Sequence, residues 1–380
     1  MISNRFELPA ASRELLERAR EVAGAELRSI ADAGAPGELN RELLAALAEH
    51  DLLPRLFPAS LGGTRDGDVS ALELCVLREG LAQRCTEAET ALALQGLGAY
   101  PIVQSAGPET AGRWIPEVAR GRAVAAFALT EPGAGSDAAA LSLKAEPDGD
   151  GWRLTGEKKW ISNAPAADVY SVFARTSDEP GSAGVTGFVV AGDASGLGGK
   201  QLELVAPHPI GTVTFDGVHV GPESVLGGVG RGFKVAMRTL DLFRPSVGAF
   251  AVGMGKAALD AALAHASERE AFGRELRRFQ AISQQLADMA TQIEAARLLV
   301  YSAASRYDSG ERVTKHSAMA KLFATEAAQK VIDAAIQIHG ARGLERGHLL
   351  EELYREVRAT RIYEGTSEIQ REIITRELYR

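Results

Sequence analysis

Cysteine is nearly absent, with only Cys75 and Cys85 in 380 residues. Ten apart in a segment that reads as helical, they offer neither a disulfide framework nor a CxxC metal or redox motif, so both are expected to be packing residues in a reducing compartment. Excess positive charge is missing as well. The formal net charge is −8, and no stretch gathers enough Lys and Arg for a nucleic-acid footprint, so nucleic acid is excluded as an expected partner. No run approaches about 18 uninterrupted apolar residues, and Met1 to Ala11 lacks a basic stretch followed by an apolar one. The expectation is a cytoplasmic protein, neither secreted nor membrane-spanning. His316, His339 and His348 have no spacing that builds a metal site with Cys or carboxylates, so no metal is expected. A Gly-x-Ser-x-Gly elbow is missing, which removes support for a serine nucleophile.

What is present is ordinary globular material, 46% hydrophobic and 24% charged, and the length gives roughly two or three domain-sized units. From about residue 11 to 120, apolar residues recur at helical steps, as in Leu15, Leu16, Ala19, Val22 and again in Leu43, Leu44, Leu47. Between about 122 and 232 the texture changes to short β-rich runs, Ala125–Leu129, Val169–Phe173 and Gly187–Val190, separated by Gly, Pro and Asp clusters. A hairpin is expected to join Leu141, Leu143 and Ala145 to Trp152 and Leu154 across Pro147–Gly151. After Gly230 the helical period returns, most plainly in Ile282, Leu286, Met289, Ile293, Ala296 and Leu299, which mark one buried face. The spacing predicts an α+β, mainly α protein: a helical domain over 1–121, a β-domain over 122–232 and a helical bundle over 233–380. With no βαβ alternation, a Rossmann domain is not expected.

Four stretches carry possible chemistry. The first, Ala128 to Asp137, leaves a strand for a Gly-rich loop around Gly133 and Gly135, whose missing Cβ atoms let backbone amides approach a phosphate or planar ring. Alone it reads equally as a tight turn. The second, Gly156 to Asn163, is a strand with Trp160 two residues before Ser162; an indole can stack on a flat ring system while the hydroxyl bonds its edge, or it can simply fill a core. The third, Arg269 to Gly273 with Phe279 and Gln280, falls at a break between two helical patterns, where an arginine fork suits pyrophosphate or a solvated helix end. The fourth pairs Ile336 to Gly343 with Arg361 to Gln370. There Glu364 precedes Gly365, with Thr366 or Ser367 a candidate N-cap and Glu368 or Gln370 closing it.

In their order and context, across essentially the whole chain, these stretches resemble the acyl-CoA dehydrogenase family. The resemblance implies an N-terminal helical domain, a central β-domain and a C-terminal four-helix bundle, one FAD per subunit and a homo-oligomer, usually a tetramer. It implies that Phe127, Leu129 and Thr130 line the flavin, that Gly135 and Ser136 lie by the FAD phosphates, with Ser136 also on the thioester side, and that Trp160 and Ser162 hold the ring. Arg269, Phe272, Gln280, Gln337 and Gly340 correspond to contacts with a neighbouring subunit's FAD, and Thr366 and Glu368 to further cofactor contacts. The substrate would be an acyl-CoA, or an acyl group on a carrier protein, held through Asp241, Arg244, Tyr363 and Gly365. Asp241 and Arg244 also allow a buried structural ion pair. An electron-transfer flavoprotein is the implied acceptor, and an oxygen-using flavoenzyme on the same fold is the other class.

Glu364 corresponds to the base that takes the α-proton. An unactivated acyl C–H is too weak an acid for a carboxylate, so donors must polarise the thioester carbonyl, and desolvation should raise the carboxylate's pKa toward its target. The family's second location for a base falls at Phe243, which cannot accept a proton. Residues around Ala91 to Gly98 and Phe243 to Phe250 are expected to floor an apolar acyl pocket. The chain departs from the family where paired glycines are usual, at Gly340-Ala341, and at Glu356 after Arg355, where Asp is commoner.

Overall fold

A computed structural model of the protein describes residues 8–380. The part of the N-terminal stretch Met1 to Ala11 that precedes residue 8 lies outside the described residues. The fold has helices at its N-terminus, a β-domain in the middle and helices at its C-terminus. The first helices are α1 (Ala10–Val22), α2 (Arg28–Ala33), α3 (Arg41–Glu49), α4 (Ala71–Ala82), α5 (Thr86–Ser105) and α6 (Pro108–Ala119), with a π turn, Ala23–Leu27, between the first two. Their starts follow from local chemistry. Asn40 accepts from the Leu43 amide at 2.9 Å to cap α3, and Ser70 accepts from the Glu73 amide at 3.1 Å to cap α4. Cys75 lies within α4, whereas Cys85 falls in the break before α5; both are free and buried. Burial pushes both thiols up, that of Cys85 to about 12, as inert packing residues require.

The strands are β1 (Ala125–Ala128), β2 (Lys144–Asp148), β3 (Gly151–Ser162), β4 (Val169–Arg175), β5 (Val185–Ala191), β6 (Leu197–Gln201), β7 (Ile210–Val220) and β8 (Val225–Leu226), in one sheet of order β6-β7-β3-β2-β4-β5-β8 with β1 beside β4. The expected hairpin is β2–β3, Asp148 opposite Gly151. Its first strand is shorter than expected: Ala138–Ala140 form a 3₁₀ turn and pairing begins only at Lys144, because Glu131 takes the Ser142 and Leu143 amides. Neighbours are mainly antiparallel, but β1 runs parallel to β4. Strand β3 is irregular, shifting register between Leu154 and Gly156 and again between Lys158 and Ile161.

The last third holds α7 (Gly232–Glu268), a short ribbon of β9 (Glu270–Ala271) and β10 (Arg274–Glu275), then α8 (Gln280–Asp308), α9 (Thr314–His339), α10 (Leu349–Thr360) and α11 (Ser367–Leu378). The buried face of α8 is Leu286, Met289, Ile293, Ala296 and Val300. The expectation ended it on Leu299, which is exposed; at 3.6 residues per turn the stripe has drifted by one position. By length and composition α7 could cross a membrane, yet 72% of its apolar window is buried within the protein.

Two compact units emerge. Among the described residues, one joins 8–28, Ser70–Glu89 and Asp241–Arg380; the other joins Ser29–Val69 and Thr90–Leu240. The N-terminal helices are therefore divided, with α1 and α4 in the helical unit and α3 and α6 with the sheet. Within the helical unit α9 packs against α8, α10 and α11. Glycines let α7 approach closely: a Cβ on Gly248 would lie 2.7 Å from Val300, and one on Gly253 would lie 2.6 Å from the Glu79 carbonyl.

Candidate active site

In the helical unit, the turn between α10 and α11 places Glu364 at φ 52° and Gly365 at φ 93°. A non-glycine residue in the left-handed region is strained and persists only where its surroundings fix it. Here they do. The Gln370 amide group donates to the Glu364 carbonyl at 3.0 Å and to the Gly365 carbonyl at 2.9 Å. Lys321 Nζ donates to the Gly365 carbonyl at 2.7 Å, and Arg244 Nε to the Glu364 carbonyl at 3.3 Å. Thr366 caps α11, accepting from the Ile369 amide at 3.4 Å. Of the two residues expected to close the cap, Glu368 folds onto its own amide and Thr366, which holds its carboxyl below the usual range. Gln370, fully buried, instead fastens the two carbonyls.

The Glu364 carboxylate is the consequence of that turn. Its Oε2 is buried with no hydrogen-bond partner. Desolvation raises its pKa above the ordinary value, against the pull of Arg78, Arg244 and Lys321. A buried, unbonded carboxylate oxygen is an acceptor held ready for a proton.

Two of those three cations are spoken for. Arg78 forms a buried ion pair with Glu89 and donates to Ser246 Oγ at 2.7 Å. Arg244, 6% exposed, lies 3.3 Å from Asp241, whose carboxyl burial raises and which also accepts from Thr314 at 3.3 Å. Lys321 bonds a neutral carbonyl instead, and burial pulls its pKa down to about 8. Phe243 is buried at 2% exposure. Arg78, Glu89 and Lys321 were not singled out in the sequence; the available signal was Lys321's place on the stripe Ser317, Lys321, Ala324, Ala328, where a charge interrupts a buried face.

In the other unit, β1 leads through Leu129 and Thr130 into the glycine loop. Lys158, fully buried on β3, donates to the Leu129 carbonyl at 2.9 Å and to Glu131 at 2.8 Å, while the Lys159 amide donates to the Thr130 carbonyl at 3.0 Å. Trp160 therefore adjoins Thr130. It stands at φ 57°, its indole 46% exposed, so it is not a core aromatic. Phe127 is half-buried on Phe173, ring centroids 5.1 Å apart. Ser162 is half-buried, and Gly135 and Ser136 are exposed; a Cβ on Gly133 or Gly135 would meet nothing within 4 Å. An exposed indole held in a strained conformation beside an open glycine loop fits a flat ring with a phosphate tail. Of the expected pocket floor, Gln95 is committed to the Ala123 carbonyl and the Ala125 amide.

The third group lies on the helical unit's surface. The β9–β10 turn puts Phe272 at φ 51° with 96% exposure, and Arg269, Gln280, Gln337 and Gly340 are exposed. His339, at the end of α9, stacks on His265 at 4.3 Å and meets His348 edge-on at 5.4 Å, contacts of packing. Gly340 has φ 64°, whereas Ala341, within the 3₁₀ turn Gly340–Leu344, has no positive φ, so the missing second glycine costs the backbone nothing there. Arg355 pairs with Glu351 at 2.6 Å. Among the described residues no group of three or more His, Cys, Asp or Glu could hold a metal.

An exposed indole beside an open glycine loop in one unit and a desolvated carboxylate in the other fit a flavoenzyme. Acyl-CoA dehydrogenase family models match along the chain, for the N-terminal domain at 9–122, the middle domain at 126–218 and the C-terminal domain at 230–379. Cyclohexane-1-carbonyl-CoA dehydrogenase of Geobacter metallireducens is 37% identical over 351 residues, 92% of each chain. Butyryl-CoA dehydrogenase from Megasphaera elsdenii superposes with a TM-score of 0.93 at 33% identity, over 99% of this chain and 100% of that one. The FAD complex of PigA superposes with a TM-score of 0.92 at 26% identity, over 98% and 99%. The chain belongs to the acyl-CoA dehydrogenase family. It is an oxidoreductase acting on CH–CH bonds, and its cofactor is FAD.

Proposed function

We propose that the protein removes two hydrogens from the Cα–Cβ bond of an acyl-CoA, with Glu364 taking the α-proton. The observation that carries this reading is the buried, unpartnered Oε2 of Glu364 with its raised pKa. Within a conformation fixed by Gln370, Lys321 and Arg244, the carboxylate has a free lone pair, little hydration and an affinity for protons closer to that of an activated α-carbon. When bound, FAD supplies the acceptor for the β-hydride. Phe127, Leu129, Thr130, Trp160 and Ser162 hold its ring, Gly135 and Ser136 its phosphates. Tyr363 and Gly365 flank the thioester. Since Arg244 is buried against Asp241 and the Glu364 carbonyl, its part is to anchor the turn.

Arg269, Phe272, Gln280, Gln337 and Gly340 serve the cofactor of a neighbouring subunit in a homotetramer; a phenylalanine 96% exposed at the tip of a ribbon supports a partner there. The physiological acceptor is an electron-transfer flavoprotein and the setting the cytoplasm.

The test is anaerobic mixing of the FAD-loaded protein with a panel of linear, branched and alicyclic acyl-CoAs and their carrier-protein counterparts. Bleaching of the flavin by one member identifies the substrate class. No bleaching with any thioester, or reduced flavin that turns over only with O₂, overturns the proposal. Activity should need Glu364 ionised, so kcat/KM should rise with pH along a limb above the ordinary glutamate range.

A further inference from the structure

Three cations act on the Glu364 carboxylate, and they differ in one respect. Arg78 is matched by Glu89 and Arg244 by Asp241. Lys321 is fully buried and, among the described residues, makes no ion pair; its only bond from Nζ there runs to the Gly365 carbonyl at 2.7 Å. Unpaired ammonium groups are rarely buried, because the charge loses its hydration without compensation. Leucine or methionine would fill the same place on α9 at less cost. The charge therefore serves something nearby, and among the anions around it Glu364 is the one with a buried carboxylate oxygen that no hydrogen bond satisfies.

We propose that Lys321 is a positioning residue for the base, holding the Gly365 carbonyl so that the left-handed turn presents Glu364, and supplying the unpaired positive charge that keeps its carboxylate ionised in the free enzyme. This rests on Glu364 being the base. The two duties are separable, since Gln370 also holds the Gly365 carbonyl at 2.9 Å but carries no charge. The charged groups around the ammonium are Glu364 on the turn, Arg244 on α7, Glu326 on α9 itself and Glu368 on α11. Glu326 is committed to Arg361 at 2.9 Å, and Glu368 is exposed. Burial brings the ammonium down to about 8, so it keeps its charge at pH values below that. Activity then has an acid limb where Glu364 ionises, and the Lys321 charge sets where that limb falls.

The experiment is the pH profile of anaerobic flavin reduction, as kcat/KM, for wild type, Lys321→Met, Lys321→Gln and Lys321→Arg, with FAD content and Tm recorded for each. Removing a neighbouring opposite charge should move the acid limb of Lys321→Met upward by about one pH unit, a tenfold loss of rate on that limb. Lys321→Gln, which keeps a donor, should show the same shift with less loss of kcat, and Lys321→Arg should keep the acid limb in place. A wild-type acid limb in Lys321→Met overturns the inference. If Lys321→Met fails to hold FAD, the Gln and Arg variants decide: identical acid limbs in both count against it, separated limbs for it. Glu364→Gln distinguishes the two levels, since full activity there removes the base assignment itself. Loss of activity there with unshifted Lys321 variants removes only the role of Lys321.

Discussion

Two strained backbone sites in different units repeat one device. Trp160 at φ 57° and Glu364 at φ 52° are non-glycine residues in the left-handed region, and beside each a fully buried lysine holds a backbone carbonyl. Burial brings both lysines down to about 8. They part company in their second contact. Lys158 has Glu131 at 2.8 Å, and that carboxylate, held below the usual range by the lysine and by the Ser142 and Leu143 amides, locks the loop beside Trp160. Lys321 has no carboxylate within reach of an ion pair among the described residues. A paired buried lysine builds a scaffold; an unpaired one exports its charge. The first suits a surface that must receive a rigid ring, the second a carboxylate that must change its charge during turnover.

The comparison is easiest to break at the base. Glu364→Gln should keep the yellow FAD but slow anaerobic reduction by about 10²- to 10⁴-fold, the usual contribution of a general base; a stopped-flow trace near the wild-type rate counts against the assignment. Next is the scaffold. Lys158→Met leaves Glu131 buried and uncompensated, and should cost about 3–5 kcal/mol in denaturant unfolding with loss of bound FAD. Adding Glu131→Gln should recover part of that stability, and no recovery means the lysine acts some other way. Smaller is Gly365→Ala, where a Cβ at φ 93° would sit 2.6 Å from the Gln370 side-chain nitrogen. Strain of about 1–3 kcal/mol is expected, with slower reduction but unchanged FAD content. Smallest in stability is Trp160→Ala: with the indole nearly half exposed, unfolding should change by less than about 1 kcal/mol, while FAD washes out faster on gel filtration.

The sequence made the strand-to-loop motif, the Trp160 strand and the Glu364-Gly365 break legible, because glycine, turn chemistry and periodicity are local signals. Lys321 and Lys158 were not legible. Each is a charged residue inside an otherwise regular pattern, and its meaning comes from partners far along the chain: Gly365 lies 44 residues beyond Lys321, and Leu129 lies 29 before Lys158. The pair Arg78–Glu89, between two helices, was not legible either. Arg244 and Asp241, three apart, were legible as a choice between a substrate contact and a structural pair, and the bonds from Arg244 to Asp241 and to the Glu364 carbonyl show what the arginine touches. The stripe of α8 misplaced at Leu299 is a smaller case: a step of three or four fits the pattern equally, and packing chose Val300.

The central claim, that Glu364 takes the α-proton, is tested most directly by exchange at the substrate's α-carbon. The FAD-loaded protein is incubated in D₂O with an acyl-CoA that bleaches its flavin, and deuterium at Cα is measured by NMR or mass spectrometry in recovered substrate. The wild type should introduce deuterium at Cα, and Glu364→Gln, with equal FAD content, should introduce none above the enzyme-free control. Exchange by the Gln variant at the wild-type rate would contradict the account.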